Sequence, residues 1–273
     1  MSGEIVSVGE ILPDDPLVVL TLHLRSYCNS PMLSLIQVRK KLRGLASPAK
    51  QRILTSFFKC GVGQYGEGDR FIGVTVPQVR SLLPRTSCLS FSDIAALIQS
   101  PIYEERLLAL LILVKRFGKS DEAEQKKIFD FYIRFKKFVN NWDLVDQSTA
   151  PIVGAYLKNK SRRLLFKLAE ASSLWDRRIA VVATWHFIRN CDLKTTFDLC
   201  EKLLNDEEDL MHKACGWMLR EAGKRDVKSL ERFLNKNAKY MPRTMLRYAI
   251  EKFHPNIRRK YLGIRKVNSI KKA

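Results

Sequence analysis

Residues 207–237, EEDLMHKACGWMLREAGKRDVKSLERFLNKN, read as two helices joined by a very short turn. Leu210, Met211, Ala214, Cys215, Met218, Leu219 and Ala222 recur at three- and four-residue spacing, which gathers apolar side chains on one helical face. Gly223 is placed to close the first helix, over 207–223, because glycine accepts the left-handed backbone of a helix end. Asp226 is placed to cap the second, over 226–237, where a short carboxylate can accept a free backbone N–H. Neither helix can bury its apolar face alone. Each needs a neighbour of the same kind.

The same pattern runs along most of the chain. Helices are expected near 34–45, 47–59, 76–86, 91–99, 103–118, 121–139, 142–157, 161–172, 174–190 and 193–205, and again near 242–252 and 255–263. Ser47 is a cap, and Pro77, Pro242 and Pro255 sit just inside helix starts. Stretches of alternating polarity long enough for a strand are scarce, so a sheet is not expected. The fold class is therefore all-α: an α-α superhelix, a solenoid of HEAT-like units, in which pairs stack on pairs and leave a concave face. Two segments depart from the pattern. Residues 1–33, with the turn Pro13-Asp14-Asp15-Pro16 before an apolar run at 17–24, are expected to be an N-terminal appendage, in part helical, ahead of one repeat domain over 34–273. Residues 61–76 are dense in glycine, but no strand precedes them and no Gly-Lys-Ser/Thr follows, so they read as an inter-helix loop rather than a phosphate-binding loop.

Composition narrows the function. The chain has 273 residues, 46% of them hydrophobic, enough for an ordinary folded core. Its richest apolar run, 107–114, is flanked by Arg106 and Lys115, far short of the roughly 18 residues a membrane span requires. The N-terminus lacks a cationic start and a small-residue cleavage site, so no secretory signal is expected. The expected location is the cytoplasm, with the nucleoid, in a bacterium, and the nucleus or cytoplasm in a eukaryote. Six cysteines are scattered without a Cys-x-x-Cys pair, and four histidines lack a second ligand at helical spacing, so no metal and no cofactor are expected. Lys and Arg number 48 against 28 Asp and Glu, a formal charge of +20 that calls for an anionic partner. A phosphate backbone is the commonest one, through counterion release.

Chemistry concentrates in a few places. Trp142 and Asp146, four apart, project from one helical face, an aromatic ring beside a carboxylate. Trp175-Asp176-Arg177-Arg178 opens another helix, and Lys213, Trp217, Arg220 and Lys224 make a stripe on a third. Trp175 and Trp185 are assigned to the core, as large rings usually are. Trp217, behind the small residues Ala214, Cys215 and Gly216, suits either the core or a backbone-facing surface. Asp146 on its own could be a solvated carboxylate or an arginine's partner, and Arg178 an ordinary salt-bridge residue.

Six ordered segments then resemble the DNA alkylation-repair glycosylases of the AlkD type, over roughly 34–263. They are Tyr65-Gly66-Glu67-Gly68-Asp69 with Phe71-Ile72-Gly73-Val74 and Pro77; Glu104-Glu105-Arg106 before Leu107-Leu108-Ala109-Leu110; Asn141-Trp142-Asp143-Leu144-Val145-Asp146; Trp175-Asp176-Arg177-Arg178; Gly216-Trp217-Met218-Leu219-Arg220-Glu221; and residues 242–252 from Pro242 to Lys252. The resemblance implies a catalytic aspartate at Asp146, lesion-contacting tryptophans at Trp142 and Trp217, and a DNA-gripping arginine at Arg178, with Arg177 as the alternative. It also implies release of cationic N7- and N3-alkylpurines from duplex DNA without base flipping. Further phosphate contacts are expected among Lys158, Lys160, Arg162, Arg163, Arg189, Lys213, Arg220, Arg243 and Arg247. A monomer is expected. Two other readings stay open: a non-catalytic solenoid that binds distorted or branched DNA, and a scaffold for protein or RNA.

Overall fold

In a computed structural model, which describes residues 31–265 and residue 267, the chain folds around one exceptionally buried helix. Residues 103–117 carry apolar side chains nearly all round, and twelve of the fifteen are buried, including Glu104, Glu105 and Arg106. A helix with no solvent face must be covered on every side. Its neighbours supply that cover.

Fourteen α-helices are present among the described residues. In chain order they are α1 (Leu35–Gly44), α2 (Pro48–Phe57), α3 (Val76–Ser81), α4 (Phe91–Ile98), α5 (Tyr103–Phe117), α6 (Glu122–Phe135), α7 (Trp142–Thr149), α8 (Arg163–Ala169), α9 (Leu174–Arg189), α10 (Lys194–Lys202), α11 (Asp209–Arg225), α12 (Val227–Asn237), α13 (Arg243–Ala249) and α14 (Pro255–Gly263). Helices α5, α7, α9, α11 and α13 pack successively side by side as an inner layer. Helices α4, α6, α8, α10 and α12 lie outside it, each against its sequence neighbours. The result is the expected all-helical superhelix. No strand occurs among the described residues; a single isolated bridge joins Arg70 to Ile102. Residues 1–30 of the expected N-terminal appendage lie outside the described residues.

Local chemistry explains most boundaries and corrects several. Ser47 accepts the Lys50 N–H at 3.4 Å, and Asp226 accepts that of Ser229 at 3.0 Å, so both caps are as expected. Gly223 does not end its helix. It lies inside α11, where a Cβ would come within 2.3 Å of the Leu230 side chain; close packing against α12 is what requires glycine there. Pro242 is itself the N-cap of α13 rather than its first helical residue. The helix expected over 76–86 divides into α3 and a 3-10 turn at Leu83–Arg85, which contains Pro84. The one expected over 142–157 passes from α7 into a π-helical turn, Ala150–Gly154. Pro151 has no N–H to donate there, and Ala155 N–H reaches back to the Ala150 carbonyl.

The glycine-rich loop is indeed structural, and a carboxylate of the chain itself fills its cradle. Glu104, buried on α5, accepts the backbone N–H groups of Ile72, Gly73 and Val74 at 2.9–3.1 Å. Gly73 has φ +82, and a Cβ there would lie 2.1 Å from the Ser47 carbonyl oxygen. Burial pushes the Glu104 carboxyl up, while these backbone donors pull it back. Asp69, at the end of the same loop, pairs with Arg106 of α5 and accepts from the Asn141 amide at 2.9 Å. Asn141 is the N-cap of α7, so the loop fixes where α7 begins.

The π-helical turn that continues α7 must also approach α9 closely. At Gly154 a Cβ would lie 2.2 Å from the Ala183 carbonyl oxygen, which is backbone and cannot swing aside. Gly154→Ala is expected to cost about 1–3 kcal/mol through overpacking, a fall of several degrees in Tm that calorimetry will read. An unchanged Tm would show that the two helices can part without penalty.

Candidate active site

The N-terminal parts of α7, α9 and α11 open onto one groove of about 720 Å³, to which α2, the loop after it and α13 also contribute. Its lining includes Phe57, Tyr65, Trp142, Asp146, Arg178, Lys213, Trp217 and Tyr248. On the other side of Asp146 a second hollow of about 520 Å³ is lined by Arg80, Gln147, Trp185, His186 and Arg189. Asp146 touches both. The carboxylate therefore stands on the ridge between two depressions of the inner layer.

Both oxygens of Asp146 are held by one guanidinium. Arg178 Nε donates to Oδ1 at 2.9 Å and Nη2 to Oδ2 at 2.8 Å, while Nη1 donates to the Leu210 carbonyl at 2.7 Å. The Arg178 side chain is 6% exposed and that of Asp146 18%. Burial pushes the Asp146 carboxyl above the ordinary aspartate range, and Arg178 opposes that rise. A carboxylate offers about four lone-pair directions, and the fork uses two. Asp146 itself is among the residues that line the groove. Arg178, expected from the resemblance to grip DNA, instead has all three guanidinium nitrogens engaged inside the protein.

Aromatic rings wall the groove. Trp142 stacks on Phe58 at 5.2 Å, meets Phe57 edge-on at 5.9 Å, and donates its indole N–H to the Tyr65 hydroxyl at 3.2 Å. Tyr65 in turn donates to the Phe57 carbonyl at 3.4 Å and meets Trp175 edge-on at 6.3 Å. On the far wall Trp217 leans on Trp185, centroids 5.4 Å apart. Trp217 lies over Gly216, where a Cβ would clash with the α13 backbone at Met245. Both Trp142 and Trp217 are half-buried, with part of each ring open to the groove. Trp185 and Trp175, assigned to the core, are only partly buried.

Hydrogen bonds pin the rest of α7. Tyr103 donates to Asp143 at 2.7 Å, Gln147 Nε2 donates to the same carboxylate at 2.8 Å, and Arg80 donates to Gln147 Oε1 at 2.9 Å. Tyr103 is buried, and its phenol is pushed well up by burial and by Asp143.

The cations expected to meet phosphate fall into two groups. Arg177 forks onto Asp206 at 2.6 and 3.2 Å, Lys160 meets Glu122 at 2.5 Å and Lys213 meets Asp209 at 2.8 Å. Arg162 meets Asp192 at 2.5 Å with its guanidinium 3.9 Å from the Phe187 ring centre, Arg220 pairs with Glu221 and Glu251, and Arg243 donates to the carbonyls of Leu262 and Ile264. Lys158, Arg163, Arg189 and Arg247 are exposed and form no ion pair among the described residues. Lys158 and Arg189 flank His186, whose imidazole is pushed down first by burial and then by those two charges.

The sequence alone does not single out Trp185, Tyr65, Phe57, Arg80 or Tyr248. For Trp185 a signal existed: seven residues after Arg178 on α9, it must share that residue's face. The other four come from distant segments and carry no local mark. Among the described residues no group of three or more His, Cys, Asp or Glu side chains could hold a metal ion, and no helix is long and apolar enough to cross a membrane.

Comparison with known proteins bears directly on this groove. A family model described as DNA alkylation repair enzyme matches residues 38–253, which takes in every groove residue named above. No curated protein sequence matches. Among solved structures, a chain described as a predicted DNA alkylation repair enzyme from Enterococcus faecalis superimposes with a TM-score of 0.60 at 15% identity, covering 77% of this chain and 97% of that one. At that identity the likeness is one of fold. The family match spans well over half of the sequence, and the protein belongs to the DNA alkylation repair enzyme family.

Proposed function

We propose that the groove hydrolyses the N-glycosidic bond of cationic N7- and N3-alkylpurines in duplex DNA, holding the lesion through its backbone rather than flipping it into a pocket. One observation carries this reading: a carboxylate fixed by both oxygens yet open to a groove walled by indole rings. As the bond from C1′ to the purine breaks, its electron pair neutralises the charged base and leaves an oxocarbenium-like sugar. Water adds to C1′ and gives up a proton. The base needs no acid, only a stabiliser of the cationic sugar.

Asp146 supplies negative charge there, and the faces of Trp142 and Trp217 favour the same cation. Arg178 acts as a positioning residue. It holds the carboxylate in one orientation and keeps it ionised against the pull of burial. The two hollows that meet at Asp146, both open to the surface, suit a duplex laid across the ridge. The phosphate contacts proposed for this role are the unpaired cations Lys158, Arg163, Arg189 and Arg247, with the already paired Lys160, Arg162, Arg177, Lys213, Arg220 and Arg243 secondary. A monomer suffices for the whole groove.

A second reading has its own support. The close Arg178 fork partly neutralises Asp146, as a purely structural ion pair would. That favours a DNA-binding superhelix without catalysis. Incubation with duplex containing 7-methylguanine, followed by quantification of free base and abasic sites, separates the two. Asp146→Asn is expected to slow base release about 10²- to 10³-fold while duplex affinity changes by no more than a few-fold. Equal rates for Asn and Asp would leave the binding-only reading standing.

The pH profile makes a further demand. The reaction needs the carboxylate, so activity is lost as pH falls through the Asp146 pKa. Because burial raises that pKa, the acid limb is expected above the ordinary aspartate range. Arg178→Gln removes the opposing cation and is expected to move the limb higher still. A profile flat through the acid range in both proteins would exclude Asp146 as the titrating group.

A further inference from the structure

Among the described residues α2 is the one α-helix with no fully buried side chain; only Leu54 packs, partly buried, against the core. None of its ten residues is buried, and Ile53 and Phe57 are 67% and 60% exposed. At helical spacing Lys50, Ile53 and Phe57 share a face, a cation followed by two large apolar side chains. Leaving such a face in water is costly for a side chain that does nothing there. Phe57 ends the stripe against the Trp142 ring and lines the groove with Lys59. The stripe is thus continuous with the groove.

Its charge points to one kind of occupant. From Pro16 to Gly66 the sequence contains no Asp or Glu at all. Arg39 and Arg43 of this region are answered by Glu105 of α5, but Lys40, Lys41, Lys50, Arg52 and Lys59 form no ion pair among the described residues. An exposed apolar ridge edged by unanswered cations matches the surface of duplex DNA, where phosphates border the sugar and base edges of a groove. A second protein copy would bring its own +20 and be repelled.

We infer that the Lys50–Ile53–Phe57 face of α2 is a second contact with the duplex, beside the lesion, in which Ile53 and Phe57 press on sugar and minor-groove edges while Lys50 and Lys59 meet the flanking phosphates. The inference rests on the reading of the groove as a DNA surface. It adds an element that grips intact DNA next to the damaged nucleotide, independent of Asp146.

Full-length wild type, Lys50→Ala and Ile53→Ser, titrated with unmodified and 7-methylguanine duplexes over a series of salt concentrations, test it. Wild type is expected to bind with a steep salt dependence. Lys50→Ala is expected to lower the slope of log K against log salt by about 1. Ile53→Ser is expected to weaken both duplexes several-fold with the slope unchanged. Both variants should keep the wild-type Tm, since neither side chain is buried. Wild-type binding that neither variant alters overturns this inference and leaves the groove reading intact; a wild type with weak, salt-insensitive binding overturns both. Two other outcomes also overturn it: Ile53→Ser altering sedimentation but not affinity, which assigns the face to a second copy, or lowering Tm but not affinity, which assigns it to the chain's own residues before 31.

Discussion

The fork from Arg178 to Asp146 is the contact on which the working surface depends. It joins α7 to α9 through two short hydrogen bonds, and its third nitrogen reaches the Leu210 carbonyl at the start of α11. Three successive inner helices are therefore tied at their groove ends by one side chain. Two charges taken out of water in this way repay their desolvation only when geometry is good and further hydrogen bonds support the pair. Here each of the three guanidinium nitrogens donates one hydrogen bond, two to the carboxylate and one to a carbonyl. Arginine rather than lysine is required, because only a planar fork can hold both carboxylate oxygens while donating elsewhere.

The surroundings make that carboxylate rigid. The Asn141 amide N–H is bonded to Asp69, Trp142 to Tyr65, Asp143 to Tyr103 and Gln147, and Gln147 to Arg80, so the polar side chains at the start of α7 each have a fixed partner. Two glycines complete the arrangement by letting backbones touch: Gly154 between α7 and α9, and Gly216 between α11 and α13. A group that must act on charge developing at one carbon benefits from such restraint, since no free energy is then spent reorienting it during the reaction.

The sequence made the architecture legible because amphipathic periodicity and caps are local signals. Ser47 and Asp226 could be read from a few neighbours, and so could the grouping of Trp142 with Asp146 on one turn. What could not be read is whatever depends on partners far along the chain. The glycine-rich loop is an anion cradle in form, yet the anion is Glu104, some thirty residues away. Gly223 reads as a helix end and is instead a point of contact with Leu230. Arg178 reads as a DNA-gripping arginine or an ordinary salt-bridge residue, and only the fold shows that its partner is Asp146. Tyr65 reaches the groove on a loop held by Glu104 and Asp69, and Phe57 reaches it from the end of α2.

If the groove acts as proposed, the distribution of charge must let one surface attract a polyanion and still suit a cationic reaction centre. A free guanidinium beside a sugar acquiring positive charge would oppose the reaction, since two like charges a few ångströms apart repel by about 4 kcal/mol at an effective dielectric near 20. Three of the four cations that line the groove are answered: Arg178 by Asp146 itself, Lys213 by Asp209, and Arg220 by Glu221 and Glu251. Lys59 of the same groove forms no ion pair among the described residues, and neither do Lys158 and Arg189 beside His186, Arg189 lining the adjoining hollow with Asp146. On the proposed reading these cations supply an attraction for phosphate that salt screens and so leaves reversible. On that reading Asp146, both oxygens held by its fork, stands between the aromatic faces with Glu208 and Asp209 in the same groove, so the groove's own carboxylates make positive charge welcome there.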